Sequence, residues 1–243
     1  MMDYIKAENL KCRRTFAKKL VLIAPFLMLL LAGISGIYYV QNGYNWWYII
    51  ILPGYITLIT ALVNQIEERK KGYRTIFALP LSLKKVWISK VIVLVIYVSS
   101  ACILHLSGMI LGKLFINPTS FISMAQMVMA TLILILVSLW QIPFCLFLSK
   151  KFGLMTTVII NLVMGIGLSI FMATENLWWL CPYSWAARLM CPVLGVLPNG
   201  TTVVQGDNLL NPSVIPMGIV LSFVLFLLIL IITANWFQKQ EVK

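Results

Sequence analysis

Side chains capable of acid-base or nucleophilic chemistry are scarce in this sequence. It has one histidine, His105, which lies within the apolar run Val91 to Leu111, and no Asp or Glu occurs in that run. An intramembrane enzyme needs a nucleophile with a base, paired acids or a metal cluster at one depth, so that class is disfavoured. We predict instead that His105 is neutral and hydrogen-bonded between helices, as are Gln141 and Asn161; a proton or metal role for His105 is the alternative.

Two further patterns could carry chemistry. The segment Gly108 to Leu114 imitates a phosphate-binding loop, but it has one residue too few between its glycines and Leu114 where Ser or Thr would bind magnesium. Cys181 and Cys191 lie ten residues apart, about 15 Å along a helix, which favours two free thiols, with a disulfide as the alternative. The chain is therefore predicted to hold no nucleotide, and no metal-ligand spacing is present.

The elements around these residues are those of a membrane protein. The 243 residues are 61% hydrophobic and 11% charged, whereas soluble domains are about 25% charged. Six runs without Asp, Glu, Lys or Arg are long enough to cross a bilayer as helices: Leu20 to Val40, Trp46 to Val63, Val91 to Leu111, Met124 to Leu148, Phe152 to Thr174 and Pro216 to Phe237. We predict an all-α polytopic membrane protein with six transmembrane helices, forming a single domain over 1–243.

The cations indicate how the spans are oriented. With both termini in the cytoplasm, all of the 19 Lys and Arg residues except Lys113 and Arg188 lie on the inner side. That bias is what the positive-inside rule requires. The net charge of +12 is thus a topology signal, and its binding potential is for the headgroups of anionic membrane lipids rather than for nucleic acid.

Two of the inner segments have patterns of their own. In the leader, 1–19, apolar residues recur at helical spacing, which predicts an interfacial helix; a solvated basic anchor is the alternative. In the loop 67–90, charges flank a small apolar ridge, which suits docking of a soluble partner, and Ser82 is placed to cap the next helix; a solvated loop that only fixes topology is the alternative. The candidate docking residues are Glu67, Glu68, Gly72, Arg74, Ile76, Phe77, Leu79, Pro80 and Ser82.

The outer segment 175–215 is long for a connection, so we predict short external helices between spans five and six. Its tryptophans could form an aromatic belt at headgroup level. Alternatively they line an outer mouth where an amphipathic cationic peptide binds. The candidate residues for that mouth are Glu175, Trp178, Trp179, Trp185 and Arg188.

Several of these motifs together resemble a known family. The loop pattern Glu-x-x-x-Gly followed by Leu-Pro-Leu-Ser, within 67–90, is similar to that of type-2 ABC exporter permeases. The outer stretch Pro182 to Gly200, with Asn45-Trp46-Trp47-Tyr48 and Leu52-Pro53-Gly54, resembles the lantibiotic immunity permeases.

The resemblance implies a function and a set of partners. The loop 67–90 would contain the coupling helix that docks on a dimer of ATP-binding subunits, which hold the ATP and magnesium, so that this chain needs no cofactor. A second, non-identical permease would complete the transporter, and a lantibiotic or related cationic peptide would be its substrate, in the bacterial plasma membrane. A permease for a drug, lipid or cation is the alternative.

Overall fold

The computed structural model describes residues 1–69, 73, 77 and 80–240, which form a helical bundle with one isolated bridge between Val196 and Thr202. The helices are α1 (Met2–Cys12), α2 (Phe16–Ile34), α3 (Tyr39–Trp46), α4 (Leu52–Arg69), α5 (Leu83–Phe115), α6 (Met124–Ser138), α7 (Gln141–Val158), α8 (Met164–Met172), α9 (Ser184–Leu194) and α10 (Val214–Gln238). One-turn π-helical segments join α3 to α4 and α7 to α8.

The predicted all-helical, multi-pass membrane fold is confirmed. Within the described residues, five helical stretches are long and apolar enough to cross a membrane: Phe16–Ile34, Gly36–Glu68, Leu83–Phe115, Gln141–Met172 and Val214–Gln238. The shorter apolar helix α6 lies between the third and fourth of these. The leader is a separate helix, α1, which packs against α5.

The fourth stretch folds back on itself at Gly153. The amide of Asn161 donates to Gln141 Oε1 at 3.3 Å, although 20 residues of continuous helix would separate them by about 30 Å. Gly153 has φ 85° and ψ 175°, a conformation that residues with a Cβ rarely adopt. Asn161 also donates to Thr57 Oγ1 of α4 at 2.9 Å, so the predicted bridging between helices by Asn161 and Gln141 is confirmed.

The boundary between α6 and α7 is a much milder irregularity. Leu139 and Trp140 keep right-handed helical φ and ψ angles. Pro143 has no N–H to donate to the carbonyl of Leu139, which explains why the regular hydrogen-bond ladder stops there. The chain from Met124 to the turn at Gly153 is therefore one nearly continuous helical path.

Small residues let α5 approach its neighbours closely. A Cβ at Gly112 would overlap the ring of Tyr39, and one at Gly108 would overlap Leu29 of α2. The Tyr39 hydroxyl donates to the Gly108 carbonyl at 3.1 Å. Close packing through small residues is the usual basis of helix association in lipid, where apolar surface is not driven out of water.

We expect Gly112→Leu to destabilise the protein by about 1–3 kcal/mol, because the new side chain must displace Tyr39. Gly33 provides the matched control, since it is also helical but has no atom within 4 Å of a new Cβ. Gly33→Leu should be neutral, or stabilising by up to about 1 kcal/mol from helix propensity. Thermal unfolding of the detergent-solubilised variants measures both, and equal midpoints for the two would contradict the packing assignment.

Candidate functional site

A buried network of charged side chains closes one end of the bundle. Glu67, in the last turn of α4, accepts hydrogen bonds from Lys90 of α5 through Oε2 and from Lys11 of α1 through Oε1, the latter at 2.7 Å. Lys11 Nζ also lies 2.6 Å from Glu8 Oε1. The Lys90 side chain is 0% exposed and that of Glu67 is 6% exposed. Buried charges persist only when paired, so this network ties three chain segments together.

Burial and neighbouring charges shift the pKa values of the two leader residues in this network, Glu8 and Lys11. Burial raises the pKa of Glu8, against the opposing effect of Lys90. Burial alone would lower the pKa of Lys11, but Glu67 and Glu8 more than offset it and raise the pKa above its usual value. Lys11 is therefore a permanent cation that bridges the two carboxylates.

Tyr73, which follows α4 in the chain, is part of this network. Its ring is buried and its hydroxyl donates to Asn64 Oδ1 at 2.9 Å. Lys150 Nζ lies 3.4 Å and Lys90 Nζ 4.9 Å from the ring centroid, which are cation–π distances. Tyr73 has φ 65°, a strained conformation for a bulky residue that persists only where the surroundings impose it.

Phe77 continues this contact to the last helix. Its ring centroid lies 6.0 Å from that of Tyr73 and 6.0 Å from that of Phe237 at the end of α10. Phe237 in turn lies 4.7 Å from Trp87 of α5. Tyr73 and Phe77 therefore contact side chains of α5, α7 and α10 together.

The structure separates the predicted docking residues into two groups. Glu67 and Phe77 face inward, as described above, whereas Glu68, Pro80 and Ser82 are exposed. The Ser82 hydroxyl caps α5 by accepting from the Lys85 backbone N–H at 3.4 Å, which confirms its predicted capping role. The four other docking candidates, Gly72, Arg74, Ile76 and Leu79, lie outside the described residues.

At the opposite end of the bundle, the outer segment 175–215 is hydrogen-bonded to α3. Asn45 donates through Nδ2 to the carbonyls of Leu197 and Pro198 at 3.2 and 3.1 Å, and Gln41 donates to the Gly200 carbonyl at 2.5 Å. A short helix predicted in this segment is present as α9, which ends at Gly195 in the left-handed conformation. The chain then turns back at 197–201, so this segment is ordered by its own hydrogen bonds and by α3.

Three of the five predicted mouth residues line one open pocket. Glu175, Trp178 and Arg188 surround a volume of about 400 Å³, together with Asp207. Arg188 Nη1 donates to the Leu209 carbonyl at 2.9 Å, and its guanidinium carbon lies 5.8 Å from the Trp178 ring centroid. With two carboxylates and one guanidinium, the pocket has a negative balance of charge.

The other two mouth tryptophans lie behind and beside the pocket. Trp185 is 4% exposed and packs with Trp178 and Trp140 in a small aromatic cluster. Its indole N–H donates to the Trp179 carbonyl at 3.1 Å. The Trp179 side chain is 38% exposed, so it alone of these indoles presents a large surface outward.

The other features considered as candidate sites, namely His105, the stretch Gly108 to Leu114 and the cysteines, do not form a site among the described residues. His105 is fully buried, stacks on Trp47 at 4.4 Å between centroids, and has Nε2 3.3 Å from the Gly43 carbonyl, as predicted for a packing residue. Gly108 to Leu114 lies within the continuous helix α5 and so has no loop to enclose a phosphate. All five cysteines are free thiols. In the described part of the chain, no group of three or more His, Cys, Asp or Glu could hold a metal ion.

Several residues that matter at these two ends are missing from the sequence-based predictions. Lys90 is counted there only as a topology cation, and Tyr73, Asn64 and Asp207 are not singled out. Lys90 does carry a signal, because it stands among the apolar residues of α5, eight positions after the helix cap. A cation in such a position needs a carboxylate partner, and the adjacent Glu67 and Glu68 are the nearest candidates in sequence across the loop.

Comparison with known proteins identifies the family. The sequence profile described as ABC-2 family transporter protein matches residues 4–168, which is more than half of the 243-residue chain. No curated protein and no solved structure matches the chain. Permeases of this family lack a nucleotide-binding site and pair with ATP-binding subunits. The chain therefore belongs to the ABC-2 transporter family, as a multi-pass membrane permease component that works with a separate ATP-binding partner.

Proposed function

We propose that this permease, with a dimer of ATP-binding subunits and a second, non-identical permease, removes lantibiotics or related cationic antimicrobial peptides from the bacterial plasma membrane. The single observation that carries the proposal is the outer pocket, where Glu175 and Asp207 lie beside Trp178 in about 400 Å³. Such a pocket suits an amphipathic cation, because the carboxylates attract its charge and the exposed indole of Trp179, next to Trp178 in the chain, can cover an apolar face.

We further propose that the chain crosses the membrane six times, with both termini in the cytoplasm. The reversal at Gly153 supports this number, because it divides the stretch Gln141–Met172 into two antiparallel arms. The first arm is extended by α6 into one long path. Lys150 and Lys151 at the turn then lie on the same side as the charged network, in agreement with the positive-inside rule.

In this orientation the charged network is the part of the permease that receives the ATPase. The exposed residues beside the loop, Glu68 and Ser82, would contact the ATP-binding subunit. The inward residues Tyr73 and Phe77 would pass its movement to α5, α7 and α10 through the contacts described above. Coupling then depends on one group of residues for docking and another for transmission.

Substitutions of the adjacent Glu67 and Glu68 separate the stability of the buried network from the docking of the ATP-binding subunit. We expect Glu67→Gln to destabilise the protein by about 3–5 kcal/mol, because the buried Lys90 loses the carboxylate that it is paired with. Glu68→Lys should leave the thermal midpoint unchanged, since Glu68 is exposed, but should reduce co-purification of the ATP-binding subunit and peptide protection. Normal protection by Glu68→Lys would show that this edge of the loop does not dock the ATPase.

Two substitutions of Glu175, one that removes its charge and one that keeps it, test the outer pocket. In cells that also express the ATP-binding subunit and the second permease, Glu175→Gln should lower protection against a cationic lantibiotic by about threefold, the effect of one exposed charge. Glu175→Asp keeps the charge and should protect almost normally. The difference should shrink at high ionic strength because salt screens exposed charges. Equal protection by the Gln variant and the wild type would favour a different substrate, such as a drug or lipid.

A further inference from the structure

A second pocket lies at the end of the bundle that holds the charged network, and the proposed function does not use it. It encloses about 560 Å³ between α1, α2 and α5. Five cations line it: Lys6, Arg13, Arg14, Lys18 and Lys19. Among the described residues no carboxylate lines this pocket, and the nearby Glu8 is already paired with Lys11. The pocket is thus an unneutralised basic site.

The helix α2 adds to this positive potential. Its first turn begins at Phe16, and no side chain caps it, because the Thr15 hydroxyl donates instead to the Cys12 carbonyl at 2.9 Å. Thr15 is itself one of the lining residues. The unpaired N–H groups of a helix N-terminus attract anions and favour phosphate in particular. Arg13 and Arg14 can grip phosphate oxygens in a bidentate manner.

The other wall of the pocket is apolar. It is formed by Val21 and Leu22 of α2 and by Val93 and Ile96 of α5. Leu22 is 63% exposed and Ile96 is 51% exposed, so this wall is open to the side of the bundle, where lipid chains would lie. The hydrogen bond from the Tyr97 hydroxyl to Asn9 Oδ1, at 2.6 Å, holds the leader in place above it.

We propose that this pocket binds one anionic phospholipid. Its phosphate lies at the N-terminus of α2 between Arg13, Arg14 and Lys18, and its acyl chains run along Leu22 and Ile96. A free phosphate ion would use the cations but gain nothing from the apolar wall, whereas a zwitterionic lipid would use the wall but carry no net charge to the cations. An anionic phospholipid uses both. The site is independent of which substrate the transporter exports.

The test is competition between lipids on the purified full chain. Solubilised protein is incubated with equal amounts of phosphatidylglycerol and phosphatidylcholine of the same acyl chains, and retained lipids are counted by native mass spectrometry. One phosphatidylglycerol per chain should be retained in clear preference to phosphatidylcholine. The triple variant Arg13→Gln, Arg14→Gln, Lys18→Gln should weaken that preference at least about tenfold, since each surface cation contributes to anionic lipid attraction.

A matched control removes three cations elsewhere at the same end of the bundle. Lys84→Gln, Lys85→Gln, Lys239→Gln has the same change in charge, and none of these residues lines the pocket. It should retain the preference. If the triple pocket variant fails to fold, the single variants Arg14→Gln and Lys18→Gln, both at exposed residues, should each give a partial loss.

Three results would overturn the proposal. They are equal retention of the two lipids by the wild type, an equal loss of preference in the control variant, and displacement of phosphatidylglycerol by millimolar inorganic phosphate. The last result would identify a site for free anions rather than for a lipid.

Discussion

The ion pair between Glu67 and Lys90 determines how one end of this permease is organised. A lysine enclosed by protein requires a counter-charge, and Glu67 provides it while also accepting from Lys11 of the leader. The leader, the end of α4 and the start of α5 are therefore held in one arrangement. The ring of Tyr73 stacks against the same lysine. The end of the molecule that faces the ATP-binding partner in our proposal is thus built around buried charge.

The charged network lies within the family match, whereas the outer segment 175–215 lies beyond it. The family profile covers residues 4–168, which include the leader, the charged network and the turn at Gly153. The outer helix α9, the acidic pocket and the last span lie beyond that match. A part shared by the family is expected to serve what its members have in common, namely a connection to an ATP-binding subunit. The outer part is where features particular to this permease's substrate can be accommodated.

Sequence patterns predicted the helical membrane fold because a bilayer imposes simple requirements of length and polarity. They also placed Ser82 at a helix cap and Glu175, Trp178 and Arg188 near one another. They did not reveal that Glu67 turns inward while Glu68 stays exposed, because both lie in the last turn of the same helix and only the position of Lys90 distinguishes them. The reversal within Gln141–Met172 agrees with the sequence prediction of two runs separated at Lys150 and Lys151, but the glycine whose backbone makes the turn, Gly153, was not singled out. Long-range pairings of this kind are set by tertiary contacts that no local pattern contains.

The reversal at Gly153 also bears on how the chain enters the membrane during synthesis. Only a few residues, Lys150 and Lys151 among them, separate the two antiparallel arms. A connection this short has no polar loop that could be translocated by itself, and two adjacent cations oppose its transfer across the bilayer. The arms are therefore expected to leave the insertion machinery together, as a preformed helical hairpin. The hydrogen bond that the Asn161 amide donates to Gln141 Oε1, between the arms, would form before the neighbouring helices arrive.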